Sequence, residues 1–573
     1  MTSPITIPGR TRPRAASAAD ARSRARLPSF IGSAALLAAA LAVAGCGAGD
    51  SDDRRAARLR EANAAGILLL GIGTEPADLD PQVVTGVPEH KVLKALMEGL
   101  VSEKPGSLEP EPAVAERWDI SPDGLVYTFH LREQARWSNG DPVTATDFVR
   151  SYQRILTPSF GAEYANMIYD FVAGAKDYYD GTITDFAQVG FRAIDERTLE
   201  VRLRHPTPYF LYILASHYSW FPVPIKVVER FGGLERRGTD WTRPENFVGN
   251  GPFAIKEWLH TQKVVVKRNP LYWDAARVRL NEIHFFATEN IPGEERMFRT
   301  GQLHRTNEVP QSKIDTYRAA NSPHLRIEPY LGTYFYRINV TRPPFDDVRV
   351  RRALALAINR EDIVQHVTRG GQQPAYHYTP PGFPAYQPKA RLTGTIEEAQ
   401  RLLAEAGFPG GEGLPRVEIQ FNTSENHLAI AEAIQAMWRR NLGVNATLKN
   451  LEWKVYLDSH DTLSYGVSRA GWIADYLDCN TFLEIFVTGG GNNDTGWSNA
   501  EYDTLRARAL SAPGEEERIA CYQRMEEILL EELPIIPIYF YTRPYLLDSS
   551  VKGMEPNPLD HHPYKYVWLE PIP

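Results

Sequence analysis

The stretch VEIQFNTSENHLAIAEAIQAMWRRNLGVNATLKNLEW, residues 417–453, decides the fold class. VEIQFN predicts a strand, Leu428 to Leu442 a helix ended by Gly443, and NATLKNLEW a second strand. Strand, helix and strand in close succession point to an α/β unit. Upstream, Ile396 to Ala406 predicts a helix stopped by Gly407, and Val348 to Ile358 a helix with Arg along one side. Downstream, PIIPIYFYTRPYLL (534–547) has the composition of a buried strand.

The first half is built from shorter pieces. Ile67 to Ile72 is an apolar run bounded by glycine, a buried strand, and Val87 to Leu100 has helical spacing. Pro122-Asp123-Gly124 turns into LVYTFHL, and Ser138-Asn139-Gly140-Asp141-Pro142 precedes a helix. Thr144 can cap that helix, with Asp147 three residues on. Thr198 to Leu203 alternates as a strand, and FAIKEW (253–258) followed by KVVVKR (263–268) predicts a hairpin.

Length and composition set limits. The chain has 573 residues, 43% hydrophobic and 23% charged, which is globular composition for three or four domain-sized units. The first 46 residues have the form of an export signal: Arg10 to Arg26 form a basic region, Phe30 to Gly45 is small and apolar, and Val43-Ala44-Gly45-Cys46 ends it like a lipobox, with Cys46 the lipidation site. The apolar run is shorter than the ~20 residues of a membrane-spanning helix. Loss of residues 1–45, which hold six Arg and Asp20, moves the net charge from −8 to −13. An acidic chain without a basic stripe is a poor partner for nucleic acid. Residues 47–61 are small and charged and predict a flexible tether. Cys479 and Cys521 would meet an oxidising compartment, where they either pair or stay as buried thiols.

RAGWIADY, 469–476, places a guanidinium, an indole and a carboxylate within seven residues. Such a set can hold a zwitterion; equally, it can be a surface ion pair beside a core Trp. Catalytic sets are missing: no GxSxG, HExxH, P-loop or CxxC occurs, and Gly489-Gly490-Gly491 lacks the setting of a phosphate cradle. Asp560-His561-His562 could ligate a metal but has no second ligand pair at usable spacing, so a solvated turn is expected, with neither metal nor cofactor.

A series of segments occurs in a fixed order: TEPADLDPQ (74–82), GVPE with MEGLV (86–101), WDISPDGLVYTFHLREQARWSNGDPVTATDF (118–148), NGPFAIKEW with RNPLYW (250–273), RPPFDDVRVRRALALAINRE (342–361), PAYHYTPP (374–381), LLAEAGF (402–408), NTSENH (422–427), and RAGWIADY with GWSNAEYD (469–503). The set resembles the substrate-binding lipoproteins of ABC importers for peptides, family 5, and the oligopeptide-binding branch most closely. The resemblance implies a periplasmic-binding-protein-like fold of type II, α/β, with two hinged halves and an extra lobe. Lobe I would comprise 62–97, 225–331 and 543–573, lobe II 98–224, and lobe III 332–542. It also implies a monomeric, lipid-anchored, periplasmic receptor, not an enzyme, whose partners are short peptides and the permease and ATPase subunits of an importer.

Site roles follow from the same resemblance. Asp475 would accept the peptide's amino group, as a buried carboxylate is unfavourable unless paired. Arg469 and His427 would take the carboxylate, with Arg369 standing in where the family has Lys at Thr368. Trp472, Trp453, Tyr164, Tyr330 and Gly471 would form the pocket wall, and Val87 would pair with the peptide backbone. Other ligands (dipeptides, a signalling peptide, a metal chelate, haem or an oligosaccharide) are the rival reading within this fold, beside a surface adhesin or chaperone and a peptidase. Two departures stand out. Ile473 and Gly332 occupy positions where close relatives carry a pair of cysteines, and Arg337 stands where they have an acidic residue beside the ligand.

Overall fold

The computed structural model describes residues 49–572 apart from Pro384 and Pro513, so the signal-like segment and Cys46 lie outside the described residues. Strand Val417–Asn422, helix Glu425–Leu442 and strand Ala446–Leu451 form the predicted unit, the two strands parallel. Gly443 ends the helix at φ 69°, a left-handed turn that glycine takes without a Cβ clash. Ile430, Ile434 and Trp438 from its buried face share one core with Ile419 and Phe421 of the sheet.

That unit is the edge of a six-stranded sheet, which continues through Val467–Ile473, Leu325–Ile338, Ile535–Leu546 and Gln373–Pro374. Val467–Ile473 runs parallel to Val417–Asn422, and the later pairings are antiparallel. The two long strands join distinct cores. Leu325 and Ile327 pack with Phe298, Leu303 and Leu546, whereas Tyr334, Tyr336, Ile536 and Ile538 belong with Ile419 and Trp438. The chain therefore crosses between these cores twice, side by side, and the ladder breaks between Pro329 and Thr333 at the crossing.

A second sheet orders Ile67–Gly73, Glu282–Ala287, Lys263–Arg268 and Phe253–Leu259; its last two strands are the predicted hairpin. A third, antiparallel, holds Ala115–Ile120, Val126–Leu131, Thr198–Arg202 and Phe191–Ala193. Helix Ala145–Leu156 starts on the expected capping box: Thr144 Oγ1 accepts from Asp147 N at 3.3 Å, and the Asp147 carboxylate accepts from Thr144 N at 2.9 Å.

Two expectations need correction. Residues 49–61, assigned to a tether, are part of a helix, Gly49–Ala65. Its anchors are remote in sequence: Arg55 pairs with Asp548, Asn63 donates to the Glu570 carbonyl at 2.6 Å, and Leu59 is buried. None of these partners is visible in a local window of composition. Asp560-His561-His562 is not a solvated turn either; all three side chains are buried, because Arg305 and Arg543 pair with Asp560, and the Glu103 carboxylate lies 2.9 Å from His561 Nδ1.

Among the described residues no helix is long and apolar enough to cross a membrane. Cys479 and Cys521 are both buried and both free. Unfolded in denaturant without reductant, a chain starting at residue 47 should therefore expose two reactive thiols per molecule; a count of zero in a thiol-reagent assay would mean that they pair after all.

Candidate ligand-binding site

The binding strand is set by its neighbour. Val467–Ile473 pairs with Leu325–Ile338 so that Arg469 lies opposite Tyr336 and Ile473 opposite Gly332. Alternate residues of a strand share a face, so Arg469, Gly471 and Ile473 point the same way, and Asp475 follows just past the strand end. These residues border a cavity of about 360 Å³. Asp475, Arg469, His427, Trp472, Trp453, Tyr164, Tyr330, Val87 and Gly471, spread over nearly 400 residues of sequence, all line it.

Asp475 is nearly buried, with Thr481 Oγ1 donating to its carboxylate at 3.1 Å. The nearest basic group, His217 Nε2, stands 3.6 Å away. Burial holds His217 well below its usual pKa, with the neighbouring His561 and Lys94 adding to the effect, so it supplies no positive charge at neutral pH. Burial, then the nearby Glu484, push the Asp475 carboxyl well above its ordinary range, against the Thr481 and Tyr164 hydroxyls. A cation delivered from the cavity would reverse that shift.

Arg469 shows the opposite need. Its guanidinium donates to Asn422 Oδ1 at 3.1 Å and Tyr541 Oη at 2.8 Å and lies 4.9 Å from the Tyr334 ring centre. Its Nε is buried without a partner, and no carboxylate of the described residues forms an ion pair with it. His427 lies beside it, Nδ1 3.5 Å from the Tyr334 hydroxyl, and burial plus the Arg469 charge keep it neutral. Gly471 is required between them: a Cβ there would stand 2.6 Å from Tyr541 Oη and 3.2 Å from Arg469 Nη2.

The walls are aromatic. Trp472 packs 6.3 Å from Tyr164, Trp453 stacks on Tyr456 at 5.4 Å, and Tyr330 lies under Arg543. The indole N–H of Trp472 is buried without a protein acceptor among the described residues. Val87 is partly exposed at the cavity edge and opens helix Val87–Leu96, next to Gly86, whose missing side chain lets Trp453 approach.

Arg369 does not join this set. It sits in a left-handed turn at φ 56°, half exposed, 3.6 Å from Asp315 on the outer surface, and only the buried Thr368 reaches the cavity. Arg337 does line the cavity, but Asp494 pairs with it and His460 Nδ1 lies 3.0 Å away, so its charge is spent within the protein. Ile473 and Gly332 face each other across two strands, and the Ile473 Cδ1 fills the space where a Gly332 Cβ would stand, at 2.4 Å.

Comparison with known proteins fits this geometry. The model for bacterial extracellular solute-binding proteins, family 5 Middle, matches residues 109–494. The periplasmic oligopeptide-binding protein OppA of Escherichia coli is 38% identical over 505 residues, covering 85% of this chain and 90% of that one. The chain belongs to family 5 of the bacterial extracellular solute-binding proteins. A solved family 5 structure, Haemophilus influenzae OppA in complex with RPPGFSPFR, superposes with a TM-score of 0.83 at 36% identity, covering 88% of this chain and 99% of that one. The murein tripeptide-binding protein MppA in its unliganded open form gives only 0.59 at 34% identity, with coverage of 88% and 97%. At nearly equal identity and coverage, the chain superposes better on the peptide complex than on the unliganded open form.

The sequence did not disclose the remaining ionic lining. Lys91, Glu163, Asp494, Arg543 and Asp560 all border the cavity. Burial raises Glu163 to about 7 and Asp494 to about 6, the latter against the pull of Arg337. One signal was available: Arg543 interrupts an otherwise apolar, aromatic strand, which marks a charge held for a purpose.

The tight seat of Gly471 gives a direct test. Gly471→Ala should lower stability by about 1–3 kcal/mol, the cost of overpacking, in chemical denaturation. Adding Tyr541→Phe, which removes the colliding hydroxyl, should recover most of it; an unchanged Gly471→Ala would show that Tyr541 does not rest there.

Proposed function

We propose that this protein is an extracytoplasmic receptor of an ABC importer, capturing short peptides between hinged halves and passing them to the permease. One observation carries the reading: a buried carboxylate and a buried guanidinium, Asp475 and Arg469, face one cavity without an oppositely charged protein partner. Burying an unpaired charge is strongly unfavourable, so each asks for a counter-charge from a ligand. A peptide brings both, an ammonium for Asp475 and a carboxylate for Arg469 beside His427. The names of the relatives support the same class: OppA of Escherichia coli is an oligopeptide-binding protein, and the Haemophilus influenzae OppA structure holds a peptide.

The rest of the reading follows. Lobe I takes 62–97, 225–331 and 543–573, lobe II 98–224 and lobe III 332–542; in support, the two small sheets fall inside lobes I and II, and the ladder break at 329–333 falls at a boundary. Hinge closure brings the lobes around the ligand. Trp472, Trp453, Tyr164 and Tyr330 bound side-chain pockets, and Val87 faces the peptide backbone. Cys46 carries the lipid that anchors a periplasmic monomer. The protein returns peptides intact and is not an enzyme. A ligand without an amine, such as haem or a neutral sugar, would leave Asp475 unmet.

Two measurements test this. Asp475→Asn should weaken peptide binding by about 3–5 kcal/mol in calorimetry, the cost of breaking a buried ion pair; unchanged affinity would remove Asp475 from the site. The soluble form lacking residues 1–46, denatured after purification, should release peptides identifiable by mass spectrometry. Release of sugars or chelates in their place would refute the peptide reading.

A further inference from the structure

Resting on the peptide reading, we propose that Lys91 and Arg543 form a second anion subsite in the cavity wall, which takes an acidic side chain of the bound peptide. Both residues border the cavity, Lys91 from helix Val87–Leu96 and Arg543 from strand Ile535–Leu546. Arg543 follows Tyr541, the partner of Arg469, by two residues, so it stands about 7 Å further along the same strand. The subsite is therefore separate from the Arg469 and His427 pair.

Its charges do not balance. Asp560 is the one carboxylate that Lys91, Arg305 and Arg543 share as an ion-pair partner, Lys91 Nζ at a loose 3.8 Å and Arg543 Nε at 3.1 Å. His562 Nε2 also sits 2.9 Å from that carboxylate. Lys91 and Arg543 further share a single amide oxygen, Asn307 Oδ1, at 2.9 and 2.8 Å. Three other acids lie close, but none forms an ion pair with these cations: Glu294 accepts from the main-chain N–H groups of Asn307 and Glu308, Glu308 accepts from Asn426, and Glu328 accepts from the Tyr545 hydroxyl. The side chains of Lys91, Arg305, Arg543 and Asp560 are 12%, 6%, 12% and 4% exposed. Three basic groups thus share one ion-paired carboxylate in a site with little water, where like charges repel strongly. Burial, and next the Arg543 charge, depress the Lys91 ammonium well below its usual pKa. A carboxylate arriving from the cavity meets Lys91, whose three donors have one close acceptor, and relieves the surplus. Carboxylates held by such charge-assisted bonds discriminate against the neutral amide of the same shape.

The test is a ratio. Calorimetry on the chain lacking residues 1–46 compares tripeptides of Ala carrying one Glu with the same tripeptides carrying Gln, at each position in turn. At one position Glu should bind about tenfold tighter than Gln or more. Lys91→Met and Arg543→Gln should each bring that ratio close to one; a general loss of affinity falls on both peptides and leaves the ratio readable. Lys91→Met is the gentler change, because Arg305 and Arg543 still hold Asp560. Equal binding of Glu and Gln at all positions would overturn the subsite while leaving the peptide reading intact. A Glu preference that survives both substitutions would place it elsewhere and equally overturn the proposal. Should Lys91→Met instead weaken Ala-Gln-Ala relative to its C-terminal amide, the cluster holds the peptide's own carboxylate and the side-chain proposal fails. Binding of neither peptide would overturn both readings.

Discussion

The pairing of strand Leu325–Ile338 with strand Ile535–Leu546 underlies the cavity and much of what lines it. Between them these strands contribute Tyr330, Arg337, Tyr541 and Arg543, and the strand carrying Arg469 is registered on the first of them. Because a one-residue slip in a ladder turns every side chain to the other face, the site exists only in this register. The apolar residues at both strand ends, packed into separate cores, hold it. The same two strands are where the chain passes between those cores, and the register shifts at Pro329–Thr333 and Tyr334–Phe335 lie at that crossing.

Charge rather than apolar shape distinguishes this cavity from an ordinary cleft. Most buried ions of the protein are satisfied internally, as Arg154 is by Asp80 and Arg506 by Asp170 and Glu484. Arg337 follows that pattern through Asp494, although it borders the cavity. Arg469 and Asp475 do not. Arg351 and Arg360 are also buried without a carboxylate partner among the described residues and donate to main-chain carbonyls away from the cavity, so what sets Arg469 and Asp475 apart is that both border it.

Much of the fold was legible because local chemistry decides it. The 417–451 unit, the Thr144 capping box and the 253–268 hairpin each depend on neighbours in sequence, and each formed as expected. RAGWIADY stood out because Arg469, Trp472 and Asp475 lie close together in sequence, and in the structure all three border one cavity. What stayed hidden depends on remote partners. Residues 49–61 looked like a tether because Asp548 and Glu570, which secure the helix, lie some 500 residues away. Asp560 looked solvated because neither Arg305, 255 residues away, nor Arg543, 17 residues away, lies beside it in sequence, and Arg369 looked available because its backbone turn, which aims it outward, leaves no mark on composition.

Arg469 and Asp475 sit six residues apart along one extended segment, one positive and one negative. The cavity therefore has a polarity fixed by the covalent order of the chain. A zwitterion entering the wrong way round meets like charge at both ends, each a mismatch that low dielectric makes severe. If a peptide is the guest, as proposed, these two side chains would set the direction in which it runs.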